Sequence, residues 1–210
     1  MNKILTFDLD GTLADSCASV ANCINHTLEN EKKSPIDSSL ITPLVGIGMD
    51  NILKKLNIKI NMESYNKFFE KKFIKEIILY EDSIKTLLRA KSLGYKIAIV
   101  TNRDQKLADL ISTTLHLDKI IDGAFGVKDG VRPKPNIDLF QIVEKKLNGM
   151  IICHIGDHLA DIEAAQNFNI PIALINRNKN DIYKNISLQS INLESLLSLI
   201  DCNLNNSITT

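Results

Sequence analysis

With 210 residues, 44% of them hydrophobic, the chain has material for one sizeable core or a core plus a small inserted unit, and is too apolar for a disordered segment. Its 25 basic and 25 acidic residues cancel, so no broad basic face attracts nucleic acid or anionic lipid, and any anionic ligand must be captured locally. No stretch approaches the roughly 18 uncharged apolar residues of a membrane span, an aspartate at position 8 interrupts any leader-type run, and Cys17, Cys23, Cys153 and Cys202 lack both C-x-x-C and zinc spacing. The expectation is a cytoplasmic protein with reduced thiols.

The first element, over 3–7, is an apolar run of the kind that forms a strand buried on both faces. It stops at Asp8-Leu9-Asp10-Gly11-Thr12, where a side-chain period of two sends Asp8 and Asp10 to the same side. Two carboxylates held that close repel, so the pair implies a cation beside it or a bound proton. Residues 14–33 then read as a helix, followed by a loop with Pro35 and Pro43. The stretch "VGIGMDNILKKLNI" gives a glycine-rich turn and a short helix, and 61–79 a basic-faced amphipathic helix. No strand is expected between 16 and 80.

From there the pattern alternates. A helix over 83–93 ends at Gly94, "YKIAIVTN" is a strand, 104–117 a helix, "GAFGV" a strand, and 136–148 a helix. "MIICHIGD" is a strand, 159–168 a helix, "PIALIN" a strand, and a last helix carries Leu193, Leu196, Leu197 and Ile200. Strands alternating with helices predict an α/β fold, a three-layer, Rossmann-like parallel sheet with helices on both faces. Residues 1–15 and 81–202 are assigned to this core. Residues 16–80 are an inserted helical subdomain over the end of the sheet where the first strand stops, and 203–210 a polar tail.

Open parallel sheets bind ligands beyond the carboxyl ends of their strands. Asp8 and Asp10, Thr101-Asn102, and Gly156-Asp157 with Asp161 all fall there, and Lys134 lies between two prolines ahead of the helix at 136. Clustered carboxylates with few other ligand types suit Mg2+. With such an ion, Asp8 can attack phosphorus and Asp10 can protonate the leaving oxygen and later take a proton from water. Thr101 and backbone N–H groups can hold phosphoryl oxygens, while Lys134 offsets the charge. Singly, several of these residues have plainer roles. "TN" after a strand is common loop chemistry, Asp161 suits a first helical turn, and Arg103 and Arg132 either touch substrate or are solvated. His154 and His158 are separated by strand and loop, which excludes a helical zinc pair.

In order and spacing, "DLDGT" at 8–12, Thr101, Lys134 and "GDHLAD" at 156–161 resemble the four motifs of the haloacid dehalogenase (HAD) superfamily, over residues 4 to about 176. The resemblance implies Asp8 as nucleophile, Asp10 as acid and base, and Mg2+ held by Asp8, the Asp10 backbone carbonyl and Asp157, with Asp161 acting from behind. It also implies that the helical insertion is a C1 cap that closes over the substrate. "FDLDGTLADS", "VTNR" and "RPKPNIDLF" are similar to the phosphoglycolate phosphatase-like subgroup; His158 departs from it, standing where a small polar residue is usual.

The expected activity is Mg2+-dependent hydrolysis of a small phosphorylated metabolite, phosphoglycolate-like or a sugar phosphate, through an aspartyl-phosphate. Asp8, Asp10, Thr101, Asn102 and Lys134 would contact the substrate. A phosphomutase of the β-phosphoglucomutase kind shares this chemistry. A receiver-type phospho-acceptor is disfavoured by motif order, a silent binding module by the full set of reactive groups, and a dehalogenase by Asp10. Substrate choice is assigned to residues around 17–26 and 44–52, and the chain is monomeric or homodimeric.

Overall fold

In the computed structural model, which describes residues 1–177, 186 and 188–206 and side chains as far as 200, β1 (Asn2–Phe7) leads into a tight turn and a two-residue strand, β2 (Ala14–Asp15). The insertion follows: α1 (Cys17–Asn30), α2 (Ser38–Ile41), α3 (Met49–Lys55) and α4 (Met62–Lys71). The chain returns through β3 (Ile78–Leu79), antiparallel to β2. The core then alternates through α5 (Ser83–Ser92), β4 (Lys96–Asp104), α6 (Gln105–Thr114), β5 (Gly123–Val127), α7 (Asp138–Leu147) and β6 (Gly149–Gly156). It ends with α8 (Leu159–Asn167), β7 (Ile172–Ile175), β8 (Leu188–Ser190) and α9 (Leu193–Asn206).

The main sheet is parallel, in the order β5-β4-β1-β6-β7-β8. Both faces are covered, as a parallel sheet requires. Along β4, Ile97 and Ile99 pack into the core shared with α5, α6, α9 and the insertion, while Ala98 and Val100 face α7 and α8. Strand order reverses at β1, with β4 on one side and β6 on the other, and this switch point opens a crevice at the strand ends. The insertion is not a separate core: Val45, Ile47, Tyr65 and Phe69 belong to the same buried cluster as Phe7 and Ile99.

The expected α/β architecture is present, with local differences. Residues 14–15 and 78–79 are a short antiparallel ribbon, not helix, and they clip together the two chain segments that join insertion to core. Pro43 lies in a 3-10 turn over Thr42–Leu44, not a loop. The helix expected over 61–79 stops at Lys71, and a 3-10 turn over Phe73–Glu76 buries Phe73 and Ile74. β8 was not expected: "LQS" has no apolar run and sits half-buried at the sheet edge. The last helix runs to Asn206, four residues into the segment assigned to a tail, and 207–210 lie outside the described residues.

Candidate active site

Three adjacent strands deliver the site. β1 ends at Asp8, β4 carries Thr101 and Asn102, and β6 ends one residue before Asp157. Carboxylate oxygens of Asp8, Asp157 and Asp161 come within 4.8 Å of one another. Lys134 reaches in beside them: its Nζ lies 2.9 Å from Asp8 Oδ1 and 2.5 Å from Asp161 Oδ1, and donates to Val100 O at 2.8 Å. Asn102 fixes that lysine by its backbone, accepting from Lys134 N at 2.7 Å and donating to Lys134 O at 3.1 Å. Its amide also reaches Gly46 O of the insertion at 3.2 Å. The Asn102 side chain, expected to contact substrate, is therefore committed to the lysine and the insertion. Thr101 is buried, its hydroxyl accepting from Arg103 N.

Local rules explain the approach of Asp157. Gly11 has φ +82°, and a Cβ there would overlap the Asp157 carboxylate, so only glycine lets the first loop pass so close. Thr12 Oγ1 donates to Asp157 Oδ1 at 2.7 Å. Asp161 has both roles left open by its position. Its Oδ2 accepts from His158 N at 3.0 Å, the reciprocal cap of α8, while Oδ1 accepts from Lys134 and meets His154 Nε2 at 2.9 Å.

The charges do not balance. Four carboxylates (Asp8, Asp10, Asp157, Asp161) face two cations, Lys134 and Arg103, leaving two negative charges in a site where His154 is kept neutral by burial. Burial would raise Asp161, yet Lys134 and His154 hold it well below the usual carboxylate range. The deficit falls on the other two core carboxylates. Burial pushes Asp8 well up, with Lys134 opposing and Asp161 and Asp157 adding, and it pushes Asp157 up to about 7. Two adjacent all-oxygen groups that burial, with neighbouring carboxylates adding, keeps from ionising fit a hard divalent cation, which would supply positive charge there.

Asp10 stands apart from that cluster. Burial alone would raise it, but Arg103 holds it low, and Ser16 also donates to it. Arg103 Nε donates to Oδ2 at 2.8 Å and to Oδ1 at 3.1 Å, and Nη2 donates to Oδ1 at 2.7 Å. A cavity of about 380 Å³ between insertion and core is lined by Asp10, Asn102, Arg103, the segment 45–52, Val20 and the α4 residues Met62, Tyr65 and Asn66, but not by Asp8.

The expected site residues Asp8, Asp10, Thr101, Asn102, Lys134 and Asp157 thus converge, and the segment around 44–52 does line the cavity. Arg132 instead pairs with Asp138 at the surface, 2.7 Å away. His158 is the half-buried N-cap of α8, its Nδ1 accepting from Ala160 N. Sequence reasoning missed three contributors: Tyr65, Ser16 and His154. The one signal for His154 is a polar residue inside an otherwise apolar strand.

Two curated relatives align along most of the chain. A phosphoglycolate phosphatase of Aquifex aeolicus is 29% identical over 181 residues, covering 82% of this chain and 84% of that protein. A pyrophosphatase PpaX of Bacillus cereus is 24% identical over 182 residues, covering 83% of each. A solved structure from Clostridium acetobutylicum, described as a "predicted phosphatase", superposes with TM-score 0.82 at 21% identity, covering 95% of this chain and 97% of that one, a likeness of fold. The haloacid dehalogenase-like hydrolase family matches residues 5–175, and to that family the chain belongs.

Proposed function

We propose that the chain is a Mg2+-dependent phosphatase for a small phosphorylated metabolite, acting through an aspartyl-phosphate on Asp8, with residues 16–80 as its cap. The observation that carries this is the cluster of Asp8, Asp157 and Asp161 oxygens, within 4.8 Å of one another, that one buried lysine only partly offsets. The relatives named for phosphoglycolate and pyrophosphate hydrolysis support it. Asp8, Asp157 and the backbone carbonyl of Asp10 would hold the ion. Bound there, the ion would neutralise Asp8 and Asp157 and draw charge from a phosphoryl oxygen.

The remaining steps belong to the protein. An Asp8 carboxylate oxygen attacks phosphorus, and the ester P–O bond breaks with its electron pair going to the departing oxygen. Asp10, protonated, gives that oxygen a proton. Lys134 and Thr101 stabilise charge on the transferring group. Water then attacks the phosphorus, yielding its proton to Asp10, and the bond to Asp8 breaks to release phosphate. The test is phosphate release from p-nitrophenyl phosphate. Turnover is expected with Mg2+, and loss of turnover in excess chelator and in Asp8→Asn. Full activity under either condition would overturn the mechanism.

A further inference from the structure

Arg103 occupies an unexpected position. A bidentate guanidinium on Asp10 stabilises its carboxylate form, the wrong form for giving up a proton, so something must draw the arginine off before the leaving group can be protonated. The structure holds a candidate acceptor site around that same guanidinium. Nε and Nη2 carry the bonds to Asp10, and the group lies 4.9 Å from the centroid of the Phe69 ring. Phe69 stacks on Tyr65 at 5.8 Å. Tyr65 lines the cavity while being only 1% exposed, and its hydroxyl, buried beside Arg103, finds no acceptor for its proton among the described residues. A buried hydroxyl whose proton finds no acceptor is costly, and here it is an unused donor beside a cation. Arg103, its side chain 10% exposed, is the least exposed cation of the cavity wall. Lys128 and the acids Asp50, Asp104 and Asp129 also line it but are exposed.

We infer that Arg103 and the Tyr65 hydroxyl form a subsite for a second acidic group on the substrate, a carboxylate or a second phosphate, and that filling it draws Arg103 off Asp10. The inference rests on the phosphatase reading and narrows its substrate class to phosphate compounds bearing another anion. A planar fork with a phenol beside it suits a carboxylate or phosphate and offers nothing comparable to a neutral hydroxyl chain. The arrangement also couples choice to chemistry: an ester lacking the second anion leaves Asp10 paired.

The test compares 2-phosphoglycolate and pyrophosphate with ethyl phosphate, which lacks the second anion. In the unsubstituted protein kcat/KM should favour at least one of the two acidic compounds, and which one separates carboxylate from phosphate recognition. In Arg103→Met the preference should fall by about tenfold to a hundredfold, as for a hydrogen bond to a charged group, and in Tyr65→Phe by about threefold to tenfold. A common factor of loss for all three compounds in Arg103→Met would overturn the inference, placing Arg103's effect on Asp10 alone. No initial preference would overturn it too. Calorimetric binding to Asp8→Asn separates this from failure of the phosphatase reading. Even without turnover, the acidic compound should bind more tightly than ethyl phosphate, and adding Arg103→Met should erase the difference. If Arg103→Met fails to fold by circular dichroism, Tyr65→Phe decides.

Discussion

Replacing Asp157 by Asn should make the metal-free protein more stable at pH 8 while abolishing its stabilisation by Mg2+. Burial, reinforced by Asp161 and opposed by the Thr12 hydroxyl, raises the Asp157 carboxyl from 3.8 to about 7. Between those values the folded chain holds a proton that the unfolded chain has released. The stability due to this group is therefore whole below about pH 4 and is lost as the pH rises through about 7. The interval sets a ceiling of about 4 kcal/mol. Water reaches the half-buried carboxylate, so a gain of about 2 kcal/mol is expected, or about 4–8 °C for a chain of this size. Asparagine keeps an oxygen that can accept from Thr12, so the hydrogen bond survives. Urea melts followed by circular dichroism, in chelator at pH 8 and at steps down to pH 4, should show the advantage of Asp157→Asn shrinking as acid is added. Added Mg2+ should then stabilise the unsubstituted protein and leave the variant unmoved. A variant less stable at pH 8 in chelator, or one equally responsive to Mg2+, would refute the reasoning.

Three further outcomes follow from the same cluster. Asp8→Asn should fold, gain stability at pH 8 in the same sense, and release no phosphate from p-nitrophenyl phosphate; measurable turnover counts against Asp8 as nucleophile. Lys134→Met strips the buried cation from Asp8 and Asp161 and should destabilise by about 3–5 kcal/mol at pH 7. Because Lys134 holds Asp161 low, that group's stabilisation is present above about pH 4 and lost below it, so the Lys134→Met deficit should fade in acid; a deficit under about 1 kcal/mol at pH 7 would contradict the pairing. Gly11→Ala meets both a φ of +82° and the Asp157 carboxylate. It should lower stability by about 1–3 kcal/mol and weaken Mg2+ binding, and an unchanged Mg2+ titration would argue against the close approach.

What was legible in the sequence was what local pattern encodes. Apolar runs gave the strands, and the polar residues at their ends gave Asp8, Thr101 and Asp157, because in a parallel sheet a strand end is already a place in space. Asp161 was readable in part, as an acid suited to a first helical turn, whereas its reciprocal cap with His158 was not read, because histidine is not among the usual N-cap residues. The Arg103–Asp10 pair was not, because its members are 93 positions apart and nothing near either one marks the other. Tyr65 sits on the buried stripe of α4 with Phe69, where periodicity cannot separate a cavity-lining tyrosine from core. The ribbon of β2 and β3 escaped because two residues are too few to display a period.

The two halves of the proposed chemistry hang from different parts of the structure. Asp8, Asp157, Asp161 and Lys134 are held by the strand ends, α8 and the Lys134 loop, all of them core. Asp10 is held by Ser16, where the chain leaves the β2 ribbon for α1, and by Arg103, whose guanidinium lies over Phe69 of α4. A shift of the insertion would therefore act directly on the surroundings of Asp10, and less directly on the carboxylates proposed to hold the metal, through the contact of Gly46 O with Asn102. Substitutions in α4 that loosen Phe69 or Tyr65 should accordingly slow the step that needs a proton at the leaving oxygen, with Mg2+ affinity unchanged. Esters whose leaving groups are acidic enough to depart unprotonated, such as p-nitrophenyl phosphate, should be least affected. Equal slowing of p-nitrophenyl and ethyl phosphate in Phe69→Leu would mean that the insertion bears on Asp8 as strongly as on Asp10, and the division would not hold.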